Sequence, residues 1–198
     1  MPASDRRERL LRGGLELFSS HAYDELSIDE LAARTGVAKG LLYYYFGSKR
    51  GYYVAVVELA AGEFRSRTEP AADLPPLEQL QTGVAAYVAY ADEHAEGYRT
   101  LMAGGIGSDP EVRAIIARER DRYLRRIAEG LGAPDAPPAL RAALQGWFSS
   151  MEGVTLDWLE HRDLSQDAVV TLLLAALGGM LAAARELDPG LAAELPRA

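Results

Sequence analysis

Apolar residues recur at helical spacing through almost every segment of this 198-residue chain, and this periodicity limits the possible folds more than any other feature. No segment shows the sustained alternation of apolar and polar residues, bounded by turn residues, that is typical of a strand. Clusters of glycine, proline and serine interrupt the pattern and divide the chain into about nine segments of helical length. The sequence therefore predicts an all-α protein with about nine helices.

The first three predicted helices are closely spaced, and the second and third are short. The first is expected at about 4–20. Ser27 can cap the second helix while the Glu30 side chain returns a hydrogen bond to the backbone of the cap. Gly36 can take the left-handed conformation that ends a helix in a sharp turn, and a third helix is expected from about Ala38 to Gly47. Two helices joined by such a turn predict a helix-turn-helix.

Six further helices are predicted after this motif. A long helix is expected at 49–69, and it is followed by the proline-rich stretch AADLPP. The others are expected at about 77–94, 97–102, 111–131, 138–160 and 166–187, with Ser165 as the cap of the last helix and a glycine-rich connector at 104–110. We predict an N-terminal DNA-binding domain at 1–48 and a C-terminal domain at 49–198, in which 49–69 is the connecting helix.

Composition excludes several classes of protein. The chain has no cysteine, which rules out disulfide scaffolds and thiolate metal sites. Its N-terminus is charged and lacks a following apolar segment, and we expect no stretch near the ~18 uncharged apolar residues of a membrane span. A soluble, cytoplasmic protein is expected.

Charge is unevenly distributed along the chain. The formal net charge of -8 argues against binding of nucleic acid over the whole surface, but residues 1–67 hold ten Lys or Arg against nine Asp or Glu. Between residues 34 and 50 four cations occur without any acidic residue: Arg34, Lys39, Lys49 and Arg50. This window predicts a local cationic face. Four arginines of the first helix either approach phosphates beside this face or form a solvated surface: Arg6, Arg7, Arg9 and Arg12.

The run LLYYYFGSKR at 41–50 crowds four aromatic rings into the third helix. On a helical wheel Leu42 and Phe46 share the side expected to face the core, whereas Gly40, Leu41 and Tyr44 are expected opposite. The flanks are expected to carry Lys39, Tyr43 and Tyr45. Phenol hydroxyls can bond phosphate oxygens and apolar groups can touch thymine methyls, so this face suits DNA. The alternative, that the run only fills the core of a small domain, leaves Gly40 and Tyr44 unexplained.

The stretch LSIDELAARTGVAKGLLYYYFGSKRGYY at 26–53 resembles the DNA-binding signature of the tetracycline-repressor (TetR) family, which consists of small, dimeric, all-helical regulators. The resemblance implies that base edges are met by Lys39, Gly40 and Leu41. It implies that phosphates or flanking bases are met by Ser27, Tyr43, Tyr44, Tyr45 and Lys49. Ala38 stands where the family often has Ser or Thr, and Leu41 stands where a hydroxyl residue is common, so we expect apolar readout at Leu41.

The resemblance also implies partners for the rest of the chain. It implies a homodimer paired through the last two helices, a palindromic double-stranded operator, and repression relieved by a small-molecule effector. The helices expected to enclose a ligand pocket carry Tyr87, Tyr90, Tyr98, Met102, Trp147 and Met151. Aromatic and sulfur-containing side chains line pockets and cores alike, and the sequence leaves both readings open for each residue.

A different class of protein, an enzyme built on a helical bundle or a ligand-binding protein with no role at DNA, is the alternative. A di-iron bundle needs Glu-x-x-His pairs, and the sequence contains none. The three histidines, His21, His94 and His161, are far apart, and neither GGIGS nor GSKR completes a phosphate-binding loop. We therefore predict no catalytic residues, no metal site and no cofactor.

Overall fold

The computed structural model describes residues 3–102 and 109–191, and all regular structure in these ranges is helical. Nine α-helices follow one another: α1 (Ala3–Phe18), α2 (Ile28–Thr35), α3 (Lys39–Phe46), α4 (Lys49–Thr68), α5 (Pro76–Glu93), α6 (Ala95–Met102), α7 (Pro110–Gly130), α8 (Pro138–His161) and α9 (Gln166–Leu187). A short 3-10 helix, Tyr23–Glu25, precedes α2. The all-α prediction with about nine helices is confirmed over the described ranges. Most of the connector predicted at 104–110 lies outside them.

The helix-turn-helix forms through the predicted caps. The Ser27 hydroxyl accepts the Glu30 N–H at 3.2 Å, and the Glu30 carboxylate accepts the Ser27 N–H at 2.8 Å. Gly36 ends α2 in the left-handed region with φ 69°, a conformation that costs glycine little. The next turn is tighter, because a Cβ at Gly51 would lie 2.2 Å from the Phe46 carbonyl oxygen. Only glycine therefore lets α4 begin this close to the end of α3.

The described residues form two compact units. One comprises the described residues of Met1–Ser66 and Glu93–Ala117, and the other those of Arg67–Asp92 and Arg118–Ala198. The first unit holds α1, α2, α3, most of α4, α6 and the start of α7. The division reflects packing, whereas the predicted boundary at residue 48 follows the end of the DNA-binding motif. A DNA-binding domain at 1–48 therefore stays a prediction.

The core of the first unit surrounds α4. Tyr52 is fully buried, its hydroxyl donates to the Leu10 carbonyl, and burial raises the pKa of Tyr52 to about 12, so this donor stays protonated at neutral pH. The Phe18 ring meets the Tyr53 ring edge-on with centroids 4.9 Å apart. Val112, near the start of α7, is buried in the same core. The beginning of α7 thus packs into the unit that carries α3.

The core of the second unit is built mainly by α8 and α9, which pack along each other. Trp147 is completely buried, and its indole N–H donates to the Leu173 carbonyl at 2.8 Å. Tyr87, Tyr123 and Phe148 meet edge-on with centroids 5.7–6.4 Å apart. Paired aromatic rings contribute stability beyond the area they bury, so this cluster fixes α5, α7 and α8 together.

Helix α9 is more apolar than the sequence prediction allowed. Its most apolar 18-residue window has a mean hydropathy of 2.0 and only 22% of that window is buried, so the expectation that no stretch approaches a membrane span is wrong here. Length and composition alone give weak evidence for a membrane, because core helices of other proteins share them. The exposed apolar surface of α9 also fits a helix that another chain covers.

Candidate nucleic-acid interface

Helix α3 presents different faces to the core and to solvent. Leu42 is buried and Phe46 is half-buried against the same core, as the helical spacing predicted. The opposite face is open: Tyr44 is 80% exposed, Tyr43 is 46% exposed and Gly40 is exposed. Both rings leave a large part of their apolar area in water, so this face is suited to a partner that covers it.

Leu41 does not follow the predicted pattern. Leu41 was expected to face away from the core, but it is half-buried and packs against the core cluster, as does Tyr45. Successive residues of an α-helix are about 100° apart, which places Leu41 and Tyr45 on the same flank of Leu42. In a helix of two turns that flank still touches the core. Leu41 therefore offers only part of its surface to a base edge.

Lys39, at the start of α3, is held by an acidic residue of α2. Its Nζ lies 2.8 Å from one carboxylate oxygen of Asp29 and 2.9 Å from the other, and this hydrogen bond raises the pKa of Lys39. Both side chains are exposed. A phosphate or base that takes Lys39 must replace Asp29 or share the ammonium with it.

The other cations of the 34–50 window also have partners. The Lys49 Nζ lies 4.0 Å from the centre of the Tyr23 ring, within the range of a cation–π contact. The Arg34 Nη1 lies 2.9 Å from the His21 Nε2, a contact that requires this nitrogen to accept. The window contains no acid, but the fold brings partners from outside it. These two contacts hold Lys49 and Arg34 in place without neutralising their charge.

Arg50 makes the strongest of these pairs. Its Nε and Nη2 donate to the two carboxylate oxygens of Asp109 at 2.6 and 2.8 Å, a bidentate geometry that fixes both groups. Asp109 also caps α7, because it accepts the Glu111 N–H at 2.9 Å. The hydrogen bond from Arg50 holds the pKa of Asp109 below its usual range. The first turn of α4 is thereby tied to the first turn of α7.

We expect Asp109→Asn to lower the stability of the protein at pH 7, since asparagine keeps the helix cap but loses the ion pair. A carboxylate with a lowered pKa in the folded state stabilises that state fully above its unfolded pKa, about 3.9, and loses this contribution as pH falls through the lowered value. The gap between the urea midpoints of wild type and Asp109→Asn should therefore shrink below about pH 4. A gap of equal size at pH 7 and pH 3 would contradict this assignment.

Ser27 and the arginines of α1 also have intramolecular contacts. The Ser27 hydroxyl donates to Glu30 at 2.7 Å, so its predicted phosphate contact would form beside a carboxylate. Arg12 pairs with Glu63 at 3.3 Å, and the Arg7 guanidinium lies 5.5 Å from the centre of the Phe46 ring. These contacts are typical of a solvated helix surface, and all of these groups remain on the outside of the domain.

The structure does not bring the six predicted pocket residues together in one unit. Tyr98 and Met102 belong to the first unit, and the remaining four, Tyr87, Tyr90, Trp147 and Met151, are buried in the second. A cavity of about 280 Å³ does lie in the second unit, but none of the six lines it. Their role as a ligand pocket stays a prediction.

Across residues 3–102 and 109–191 no group of three or more His, Asp or Glu residues is arranged to hold a metal ion. The cluster around His94 serves instead in packing: the His94 Nδ1 lies 3.1 Å from the Ser19 hydroxyl. Nearby, a Cβ at Gly97 would lie 3.1 Å from the Phe18 carbonyl oxygen. These contacts fix α6 against the end of α1.

Comparison with known families assigns both halves of the chain. Residues 10–56 match the model of bacterial regulatory proteins of the tetR family, and residues 76–178 match the model of the tetracyclin repressor-like C-terminal domain. The first match contains α2 and α3, and the second covers about half of the chain. The fold was also compared with solved structures. A tetR-family regulator from Streptomyces coelicolor superposes with a TM-score of 0.90 at 28% identity, over 98% of this chain and 87% of that one.

Relatives with similar sequences are named as helix-turn-helix transcriptional regulators. The transcriptional activator FasR of Mycolicibacterium smegmatis is 29% identical over 118 residues, which are 59% of this chain but only 54% of that protein. The uncharacterized regulator Rv0472c of Mycobacterium tuberculosis is 28% identical over an alignment of 203 positions, which covers 93% of this chain and 82% of that one. The chain thus belongs to the tetracycline-repressor family and is a helix-turn-helix, DNA-binding transcriptional regulator.

Proposed function

We propose that the protein is a homodimeric repressor that binds a palindromic operator through α3 and leaves it when a small molecule binds the C-terminal domain. The exposed face of α3 is the observation that carries this proposal. Tyr44 and Tyr43 stand in solvent beside the bare backbone of Gly40, where a groove wall can approach closely. We assign base contacts to Lys39, Gly40 and Leu41, and backbone contacts to Ser27, Tyr43, Tyr44, Tyr45 and Lys49.

Exposed apolar residues and open glycine positions on α8 and α9 support a dimer that pairs through these two helices. Leu172 and Met180 are exposed on α9, and no atom lies within 4 Å of a Cβ built at Gly153 of α8 or Gly179 of α9. Large aliphatic residues beside glycine let two helices approach closely. Two-fold pairing would present two copies of α3, and such dimers read half-sites about 34–36 Å apart.

The direction of regulation is part of the proposal. We expect the ligand-free dimer to bind the operator more tightly, with ligand favouring a conformer in which α4 holds the two copies of α3 at a mismatched spacing. FasR is named an activator, so a relative of this chain acts in the opposite sense. The proposed action on chromosomal operators places the protein in the cytoplasm.

Lysine substitutions test the DNA-binding surface. Lys49→Ala should weaken binding to every duplex and reduce the slope of log affinity against log salt by about one unit, since each phosphate contact contributes about 0.9. Lys39→Ala should weaken binding and also relax sequence preference, because this residue is assigned to a base edge. Fluorescence anisotropy with labelled duplexes over a salt series measures both effects.

The control is Arg125→Ala, which removes an exposed cation of α7 in the second unit. It should change neither the affinity nor the slope. If both lysine variants bound operator and random duplexes as the parent does, the interface would lie elsewhere. If ligand tightened operator binding, the repressor mechanism would be wrong and the interface would stand.

A further inference from the structure

The cavity in the second unit lies between the first turns of α5, the C-terminal half of α7 and the middle of α9. Its volume of about 280 Å³ is close to the lower end of the range for small-molecule sites, roughly 300–1,000 Å³. It is a different place from the aromatic set that the sequence predicted.

Two polar groups, the Tyr123 hydroxyl and the Arg126 guanidinium, line this cavity beside Gly83. A Cβ built at Gly83 would lie 3.5 Å from the Tyr123 hydroxyl and 3.7 Å from the Arg126 Nη2, so the missing side chain leaves both groups accessible. Tyr123 is 96% buried, as only 4% of it is exposed, and burial raises the pKa of its hydroxyl, so the group remains an O–H donor at neutral pH. A phenol O–H can donate to an acceptor atom of a ligand.

Arg126 is held in position for such a ligand. Its Nη2 donates to the Thr68 carbonyl at 2.9 Å, and its guanidinium lies 5.0 Å from the centre of the Tyr123 ring. A guanidinium has five N–H donors, so these contacts orient the group without using all its donors. The arrangement presents a fixed positive charge next to a phenol O–H donor.

The rest of the lining is mainly apolar, and it includes two neutral polar residues, Gln79 and Gln81. The apolar side chains that the cavity exposes include Leu77, Leu80, Ile127, Leu174 and Leu181. None of the described lining residues is acidic, and Arg185 of α9 adds a second cation. This combination favours a ligand with a negative head and an apolar body, and it disfavours amines, which would meet like charge.

We propose that this cavity is a binding site for a small amphipathic carboxylate. The carboxylate accepts hydrogen bonds from Arg126 and from the Tyr123 hydroxyl, and the aliphatic body lies along the leucine side chains of α5 and α9. Removal of that body from water supplies affinity, while the two donors set the orientation. The inference concerns binding alone and does not depend on whether the ligand releases DNA.

Calorimetric titration of the full chain with octanoate tests the site. We expect saturable binding at one site per chain, with octan-1-ol and octylamine at least tenfold weaker. Arg126→Gln should weaken octanoate by about 10- to 100-fold, the range of a hydrogen bond to a charged group. Tyr123→Phe keeps the ring and should weaken octanoate by about 2- to 10-fold, the range of a neutral hydrogen bond.

Arg125→Gln is the matched control, since it removes a neighbouring cation of α7 that is exposed and does not line the cavity. It should bind octanoate as wild type does. Thermal unfolding without ligand separates a folding defect of Arg126→Gln from lost binding, and Tyr123→Phe supplies a second variant if that defect occurs. Absence of saturable octanoate binding, equal affinity for octan-1-ol, or wild-type affinity in both site variants would overturn the proposal.

Discussion

Gly179→Glu is expected to give a folded monomer that binds the operator about 10²- to 10⁴-fold more weakly, because the second α3 no longer binds in the same complex. Within one protomer the new side chain has room, since among the described residues no atom beyond the adjacent residues and the nearby backbone of α9 lies within 4 Å of a Cβ built at Gly179. The same position lies on the α9 face assigned to pairing, where a second chain would bury the new carboxylate. Burying an unpaired charge is too costly for a dimer to tolerate.

Analytical ultracentrifugation and operator binding by anisotropy measure this result together, and circular dichroism shows that the helices persist. Gly179→Ala is the matched control: it keeps the face small and apolar and should dimerise as wild type does, with a helix favoured by up to about 1 kcal/mol. A Gly179→Glu protein that stayed dimeric would place the pairing surface somewhere other than this part of α9.

Trp147→Ala is expected to lower the free energy of unfolding by about 3–5 kcal/mol, the range for removal of a large aromatic side chain from a core. The residue is completely buried and its indole N–H donates to the Leu173 carbonyl, so alanine leaves a cavity and also removes this hydrogen bond. A loss of this size is a large fraction of the total stability of a typical domain.

Urea denaturation followed by circular dichroism measures the loss. Trp147→Phe keeps much of the volume and should lose clearly less stability than the alanine variant. The experiment also decides between the two readings of this residue that the sequence left open. If Trp147→Ala changed effector binding but cost less than about 1 kcal/mol, the side chain would line a pocket and not a packed core.

Local sequence signals predicted the DNA-binding motif closely because each depends on neighbours in the chain. Ser27 and Glu30 are three residues apart and form the reciprocal cap, and Gly36 adopts the positive φ that its position at a helix end requires. Leu42 is buried as the helical spacing indicates. Each of these features depends on residues within about one helical turn of each other, so it can be predicted from the local sequence alone.

The environment of the cations could not be predicted in this way. Lys39 meets Asp29 from the preceding helix, and Arg50 meets Asp109, which is 59 residues away. A charge count along the chain does not contain contacts that the fold creates between distant segments. The predicted window does hold four cations and no acid. The sequence did not indicate that these cations contact residues outside the window.

The proposed pocket was harder still to predict, because the same residue types build cores and pockets. Trp147 and Met151 are completely buried, and the sequence could not tell this from exposure to a ligand. The cavity between α5, α7 and α9 instead depends on Gly83, whose missing side chain leaves space next to Tyr123 and Arg126. A glycine adds no side chain to the helical pattern of apolar residues, so that pattern could not predict this cavity.

Sequencing of genomic fragments bound by the purified protein tests the central claim most directly, since it reports what a pair of α3 helices recognises. We expect enrichment of an inverted repeat whose half-site centres are about 10–10.5 base pairs apart, or a multiple of this. We also expect that the repeat is lost when Lys39→Ala replaces the parent. Enrichment without two-fold symmetry, or fragments that match random genomic DNA, would contradict this claim.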